Sequence, residues 1–271
     1  MSLITISPSL GSGGKAIARQ VAEGLKIDLY DDDRLQAEAL AMGIGSEYLK
    51  GMDEKTPGLF DRILGKKPDI YLDLMEAVVY KVSQRGRGVI IGHCGQMLLR
   101  DFGCALHVRI YASRERRIAN LMEAYQVNWQ SAEQLIRKSD NQRNGFYRFA
   151  FQMDLNDPSL YDLTINTEKI GHDLASQFVI QMATSDQISA CSLTALEAME
   201  RLSLTKKVEA ELLKNDISLA MLHVEASDKG NIYISGIATS ENEKQRIHDV
   251  ISGMSEISDV QSDVGVVTGG I

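Results

Sequence analysis

Cysteine, proline and tryptophan are scarce in this sequence, at three, four and one among 271 residues. Cys94, Cys104 and Cys191 are odd in number with no CxxC spacing, and the five histidines form no HxxxH pair. Neither disulfides nor a structural zinc is therefore expected. Long apolar runs are also missing. No stretch approaches the ~20 residues of a membrane span, and the N-terminus lacks the basic, apolar and small-residue succession of a secretory leader. A cytoplasmic location follows as an expectation. Positive charge is in deficit: the formal net charge of −8 argues against bulk nucleic-acid binding, which needs a basic face. Small anions can still bind locally, because Arg114 to Arg148 holds seven basic and four acidic residues.

What is present is 44% hydrophobic and 24% charged, ordinary for a globular chain and long enough for a medium α/β domain plus a small one. The N-terminal part is organised around Ser7-Pro8-Ser9-Leu10-Gly11-Ser12-Gly13-Gly14-Lys15-Ala16, between the apolar run Leu3 to Ile6 and the helical pattern from Ile17. Strand, glycine loop and helix make a phosphate cradle: successive backbone N–H groups converge, and the helix N-terminus adds its positive end. Counted back from Lys15, the pattern GxxxxGK[ST] finds Gly14 and Lys15, but Ser9 replaces the first glycine and Ala16 the metal-binding hydroxyl. A plain glycine turn is the competing reading of the loop alone.

Asp31-Asp32-Asp33 reads as the cap of a helix from Arg34 to Met42, and residues 43 to 68 as an irregular or mobile insert suited to a substrate flap. Ile70 to Gln84 predicts an amphipathic helix. Val89-Ile90-Ile91 predicts a buried parallel strand with Gly92-His93-Cys94-Gly95 at its ligand-facing end, and Leu106 to Tyr111 a second strand followed by a helix from Arg114 to Tyr125. Ser131 to Gln134 reads as a capping box opening a helix that carries Arg137, Asp140 and Arg143 along one strip. That strip is either an ion-paired exposed face or a phosphate clamp. Tyr161 to Thr167 predicts another buried strand and His172 to Met182 another helix. Residues 183–203 read as a linker around a short helix at Leu193 to Arg201; beyond it, a helix from Lys206 to Leu213, strands at Leu222 to Ala226 and Ile232 to Ala238, a helix capped at Ser240 and a strand at Val260 to Val267 give an αββαβ order.

The loop Leu10 to Gly14, the run Gly88 to Gly92, Val108 to Ala112 with Glu115 and Arg117, the RxxDxxR at Arg137 to Arg143, and Tyr161 to Thr167 together resemble the cytidylate kinase-like family over residues 1–182. The resemblance implies an α/β fold, a P-loop nucleoside-monophosphate kinase-like parallel sheet flanked by helices. It also implies phosphoryl transfer from ATP, with Mg²⁺, to a nucleoside monophosphate. On this chain Gly11, Ser12, Gly13, Gly14 and Lys15 would hold the donor, Ser12 or water-bridged carboxylates the Mg²⁺, and Asp31 and His93 the acceptor. Arg137 and Arg143 would close over the transferring group with Asp140 orienting them. Aligned without gaps, the family's lysine falls on Gly14 and its threonine on Ala16, and its Gly-Arg-Asp becomes Gly92-His93-Cys94. Residues 204–267 are similar to a BON domain through Gly230 to Gly236, as a small α+β module. Its six basic and eleven acidic residues disfavour anionic membranes and point to a protein partner, self-association or a small ligand. A catalytically degenerate nucleotide sensor signalling through the BON-like module, and a scaffold, are the alternatives to a kinase.

Overall fold

The computed structural model describes residues 3–45, 68–188, 190–227 and 230–267. The insert expected at 43 to 68 falls mostly on 46–67, outside the described residues. Contacts divide the chain into two units, the first from Met1–Ile63 with Arg85–Leu193 and the second from Leu64–Gln84 with Thr194–Ile271.

The first unit is a five-stranded parallel sheet in the order β2-β3-β1-β4-β5, with β1 at Leu3–Pro8, β2 at Leu29–Tyr30, β3 at Gly88–Ile91, β4 at Ala105–Tyr111 and β5 at Leu163–Asn166. Central β1 pairs on both edges, so Ile6 faces Ile91 and Val108. Leu3, Ile4 and Ile6 are covered on both faces, which is why this strand reads as a continuous apolar run. Helix α1 (Gly14–Leu25) lays Ile17, Ala18, Val21 and Ala22 on the sheet beside Ala175 and Val179 of a later helix, His172–Ala183. Helix α2 (Asp32–Ala41) follows β2, and a short helix at Gly95–Leu98 follows β3.

Three expectations need correction here. Strand β5 is an edge strand, and of its four residues only Ile165 is buried. The helix after Arg114–Tyr125 starts at Trp129, capped by Asn128, whose Oδ1 accepts from Ser131 N at 2.9 Å; Ser131 sits inside the first turn and caps nothing. Cys104 and Cys191, 87 positions apart, form a disulfide, which neither the odd count nor the spacing anticipated.

In the second unit we number α3 (Pro68–Ser83), α8 (Leu193–Lys214), β6 (Leu222–Ala226), β7 (Asn231–Ala238), α9 (Glu241–Ser252) and β8 (Asp259–Val266). The helices of the first unit are then α4 (Gly95–Leu98), α5 (Arg114–Tyr125), α6 (Trp129–Phe151) and α7 (His172–Ala183). The αββαβ order is present, with β7 central, antiparallel to β6 and parallel to β8. Ser240 caps α9 as expected, its Oγ accepting from Glu243 N at 3.1 Å. The two short helices expected between Leu193 and Leu213 are one continuous helix of 22 residues, because Ser203 and Thr205 are buried and bonded: Ser203 Oγ donates to Ala77 O, and Thr205 Oγ1 accepts from Ala226 N.

Helix α3 carries the expected apolar stripe, yet Asp73 and Glu76 are buried beside it. Lys206 Nζ of α8 lies 3.2 Å from Asp73, 3.3 Å from Glu76 and 2.8 Å from Glu209. Burial, only partly offset by Lys206, pushes Asp73 up to about 7, and burial raises Glu76 as well. Although burial opposes it, attraction to Glu76 and Asp73 raises Lys206, which therefore stays charged across this range. An ordinary aspartate titrates near pH 4. Between about pH 4 and 7 the folded state keeps a proton that the unfolded state has lost, so stability falls as pH rises. Amide exchange in α3 and α8, corrected for intrinsic rates, is expected to be about tenfold better protected at pH 5.5 than at 7.5. Asp73→Asn flattens that difference; equal protection in the wild type counts against the cluster as its source.

Candidate functional site

The loop after β1 is held by its carbonyl oxygens. Ser7 O accepts from Arg109 Nη1 at 3.1 Å, Pro8 O from Arg143 Nη1, Ser9 O from Ser12 Oγ at 2.7 Å and Leu10 O from Arg117 Nε at 2.6 Å. Gly11 O accepts from Asn120 Nδ2 at 2.8 Å and Ser12 O from Thr167 Oγ1 at 2.9 Å. A trans peptide points its N–H opposite its C=O. Pro8 has no N–H, and Ser9 N and Ser12 N donate to Ile110 O and Ser9 O. The N–H groups that the anchored carbonyls of Leu10 and Ser12 point away from themselves are therefore those of Gly11 and Gly13, the kind of donor an anion-binding nest uses. No side chain caps the N-terminus of α1, whose cap residue Gly13 has φ 81°. A helix N-terminus without a side-chain cap suits an anion.

Loop glycines are fixed by neighbours. A Cβ on Gly14 would stand 2.3 Å from Pro8 Cβ, so this position accepts no lysine, and the cation moves to Lys15. From there Lys15 Nζ meets Asp32 Oδ2 at 2.8 Å, and the other oxygen of Asp32 accepts from His93 Nε2 at 3.1 Å. Burial alone would raise the Asp32 carboxyl, but hydrogen bonds from His93 and Lys15 hold it well below the usual carboxylate range. Asp31, the residue expected to seat an acceptor, caps α2 through Arg34 N at 3.1 Å. The carboxylate beside Lys15 and His93 is its neighbour, Asp32. His93 is buried at the carboxyl end of β3 in a turn where Gly92, His93 and Cys94 all have positive φ, at 74°, 51° and 55°. Two non-glycine residues in succession there store local strain, which marks functional sites more often than ordinary turns.

Of the RxxDxxR residues, Arg143 is buried and reaches the loop, with Nη2 also 3.1 Å from Ser7 Oγ. Asp140, expected to orient Arg137 and Arg143, sits between them on α6. It accepts both Nη groups of Arg117, at 2.9 and 2.7 Å, and so ties α6 to the loop through Arg117. Arg137 is exposed. Ser12, expected to face Mg²⁺, is fully buried with its hydroxyl spent on Ser9 O.

Sequence reasoning missed Arg109, a cation inside an otherwise apolar strand. It bonds Ser7, Ser9 Oγ at 3.1 Å and Asn156 Oδ1 at 3.3 Å, and lies over the Tyr161 ring. The charge in the middle of β4 was the available signal. Behind it Gln96 Nε2 donates to Tyr147 OH at 2.5 Å and Tyr161 OH donates to Leu155 O at 2.8 Å. Burial pushes both tyrosine hydroxyls above their ordinary range, so they stay protonated.

A five-stranded parallel sheet in this order, with a glycine loop between the central strand and α1, defines a nucleoside-monophosphate kinase-like P-loop fold. The chain belongs to the cytidylate kinase-like family, whose model matches residues 3–169, and a BON domain matches residues 202–268. A cytidylate kinase of Pyrobaculum islandicum is 25% identical over 167 residues, covering 62% of this chain and 84% of its own. One from Staphylothermus marinus is 28% identical over 178 residues, covering 63% and 89%. The crystal structure of an uncharacterized protein from Eubacterium ventriosum matches in fold with a TM-score of 0.52 at 22% identity, covering 68% of this chain and 99% of that one. No described helix is long and apolar enough to cross a membrane.

Proposed function

We propose that the first unit transfers the γ-phosphoryl group of ATP to a nucleoside monophosphate, with a cytidylate-like acceptor. The observation that carries this is the convergence of Arg109, Arg117 and Arg143 on the carbonyls of one glycine loop beside an uncapped helix. Phosphoryl transfer needs positioning and charge neutralisation more than covalent help. In this scheme amides between Gly11 and Lys15 cradle the donor phosphates. Lys15 exchanges Asp32 for phosphate oxygens, and Arg143, with Arg137 closing from the exposed face of α6, meets the transferring group. Asp32 and His93 stand on the acceptor side of Lys15 in place of Asp31.

Mg²⁺ ordinarily accompanies ATP in such chemistry, but the donors here do not fit a loop-bound ion. Ser12 Oγ is buried and committed, and Ala16 has no oxygen to offer. No step is assigned to it. The same observation favours a second reading, a nucleotide sensor without turnover.

The kinase-like part at 1–182 and the BON-like part at 204–267 are read as separate modules joined through 183–203, within which α8 begins. For the BON-like module we infer a protein contact or self-association, supported by exposed Met221, Tyr233 and Ile237 and by its acidic balance. The location we infer is cytoplasmic. Because such compartments keep thiols reduced, the Cys104–Cys191 bond is the feature that in-cell thiol trapping would check.

A coupled assay for ADP across a panel of nucleoside monophosphates tests the kinase reading. Turnover with one of them is expected, and Lys15→Ala lowers it by about a hundredfold. Nucleotide-dependent thermal stabilisation without ADP release decides for the sensor.

A further inference from the structure

Metal ligands and cations are unequally supplied around this loop. Ala16 takes the place of the hydroxyl that ligates Mg²⁺ in loops of this kind, whether counted from Lys15 or aligned without gaps. Ser12 Oγ donates to Ser9 O at 2.7 Å. Both oxygens of Asp32 are engaged, by Lys15 and by His93. Cations, by contrast, are plentiful: Lys15 stands at the start of α1 beside Asp32, and three arginines, each no more than 8% exposed, reach the loop from α5, α6 and β4, of which Arg117 is already matched by the Asp140 carboxylate.

Arg109 is the informative member. Its hydrogen bonds among the described residues go to Ser7 O, Ser7 Oγ, Ser9 Oγ and Asn156 Oδ1, all neutral oxygens. Burial, and then the charge of neighbouring Arg143, both work against its charged form. Guanidinium groups held so close, away from water, are stabilised by a polyanion. A divalent ion on the nucleotide would cancel part of the charge that these groups are placed to meet, and would gain no protein ligand in return.

We propose that this loop binds a nucleoside polyphosphate as the metal-free polyanion, with Lys15, Arg109 and Arg143 supplying the neutralisation that a loop-bound metal supplies in hydroxyl-bearing loops. It rests on the nucleotide-site reading above. Transfer chemistry remains open to it, because the nucleotide can carry a metal without the protein ligating that metal.

Isothermal titration of the full chain with ADP and ATP, in EDTA and in excess Mg²⁺, is the test. In the wild type the affinity in EDTA equals or exceeds that in Mg²⁺. Position 16 is exposed, so Ala16→Thr adds a hydroxyl without disturbing the core. In that variant Mg²⁺ strengthens binding by about tenfold, the equivalent of one good ligand contact. Arg109→Gln weakens binding in EDTA more than in Mg²⁺. Tenfold tightening by Mg²⁺ in the wild type overturns the proposal while leaving the nucleotide site standing. Absence of binding under both conditions overturns the site itself, so the two failures are distinct.

Discussion

Arg143→Ala is expected to lower phosphoryl transfer by about a thousandfold, the lower bound for removing an arginine that neutralises a transferring phosphoryl group. In the proposed scheme the side chain has two duties: its Nη groups hold Pro8 O and Ser7 Oγ, which Arg109 also bonds, and its guanidinium neutralises phosphate. Removing it leaves a carbonyl without a donor, at about 1–3 kcal/mol, a loss that a folded domain of this size tolerates. Circular dichroism should therefore be unchanged while turnover collapses. Arg143→Lys separates the duties, because an ammonium can donate to Pro8 O but lacks the planar fork for phosphate. The lysine variant should recover most of the thermal stability and little of the rate. A rate within threefold of wild type in Arg143→Ala overturns the clamp.

The parts legible in the sequence are those set by local periodicity. Leu3 to Ile6 and Val89 to Ile91 are buried on both sheet faces and read as short apolar runs, and Leu106 to Ile110 is buried too, with apolar residues alternating with His107 and Arg109; each is a strand. The glycine loop is legible because Gly11 and Gly13 have positive φ. The site's partners are harder to read. A step of three places Arg137, Asp140 and Arg143 on one inclined strip, which turns by about 60° around α6 at each step and so runs from solvent to the loop: Arg137 is exposed and Arg143 buried. Asp140 lies between them and pairs with Arg117, which sits on a different helix, 23 positions earlier. No spacing rule reports a partner of that kind. Asp31 and Asp32 are chemically equal in the sequence. Only the entry geometry of α2 makes one a cap and turns the other toward Lys15. Cys104 and Cys191 meet because β4 starts at 105 and the chain after α7 returns to it, a property of topology rather than of sequence spacing.

Gly13→Ala is expected to weaken nucleotide binding at least a hundredfold, and the reason is steric on two counts. With φ at 81°, an alanine at 13 takes a left-handed conformation that costs about 1–2 kcal/mol. Its Cβ would also stand 2.0 Å from His172 Nε2, at the first turn of α7, so the ring or the loop must move. Overpacking of this kind costs about 1–3 kcal/mol more, and together the two reach the stated loss. Moving the loop is the damaging response. Ser12 O is tied to Thr167 and Gly11 O to Asn120, so a shift at 13 turns away the N–H groups on either side. The double variant Gly13→Ala with His172→Ala removes the clash and keeps the backbone cost. It is expected to recover about tenfold of the lost affinity for ADP by titration. Full recovery would show that only the imidazole constrains this glycine. No recovery would assign the whole effect to φ. Wild-type affinity in the single variant would mean that nucleotide phosphates do not depend on this loop at all.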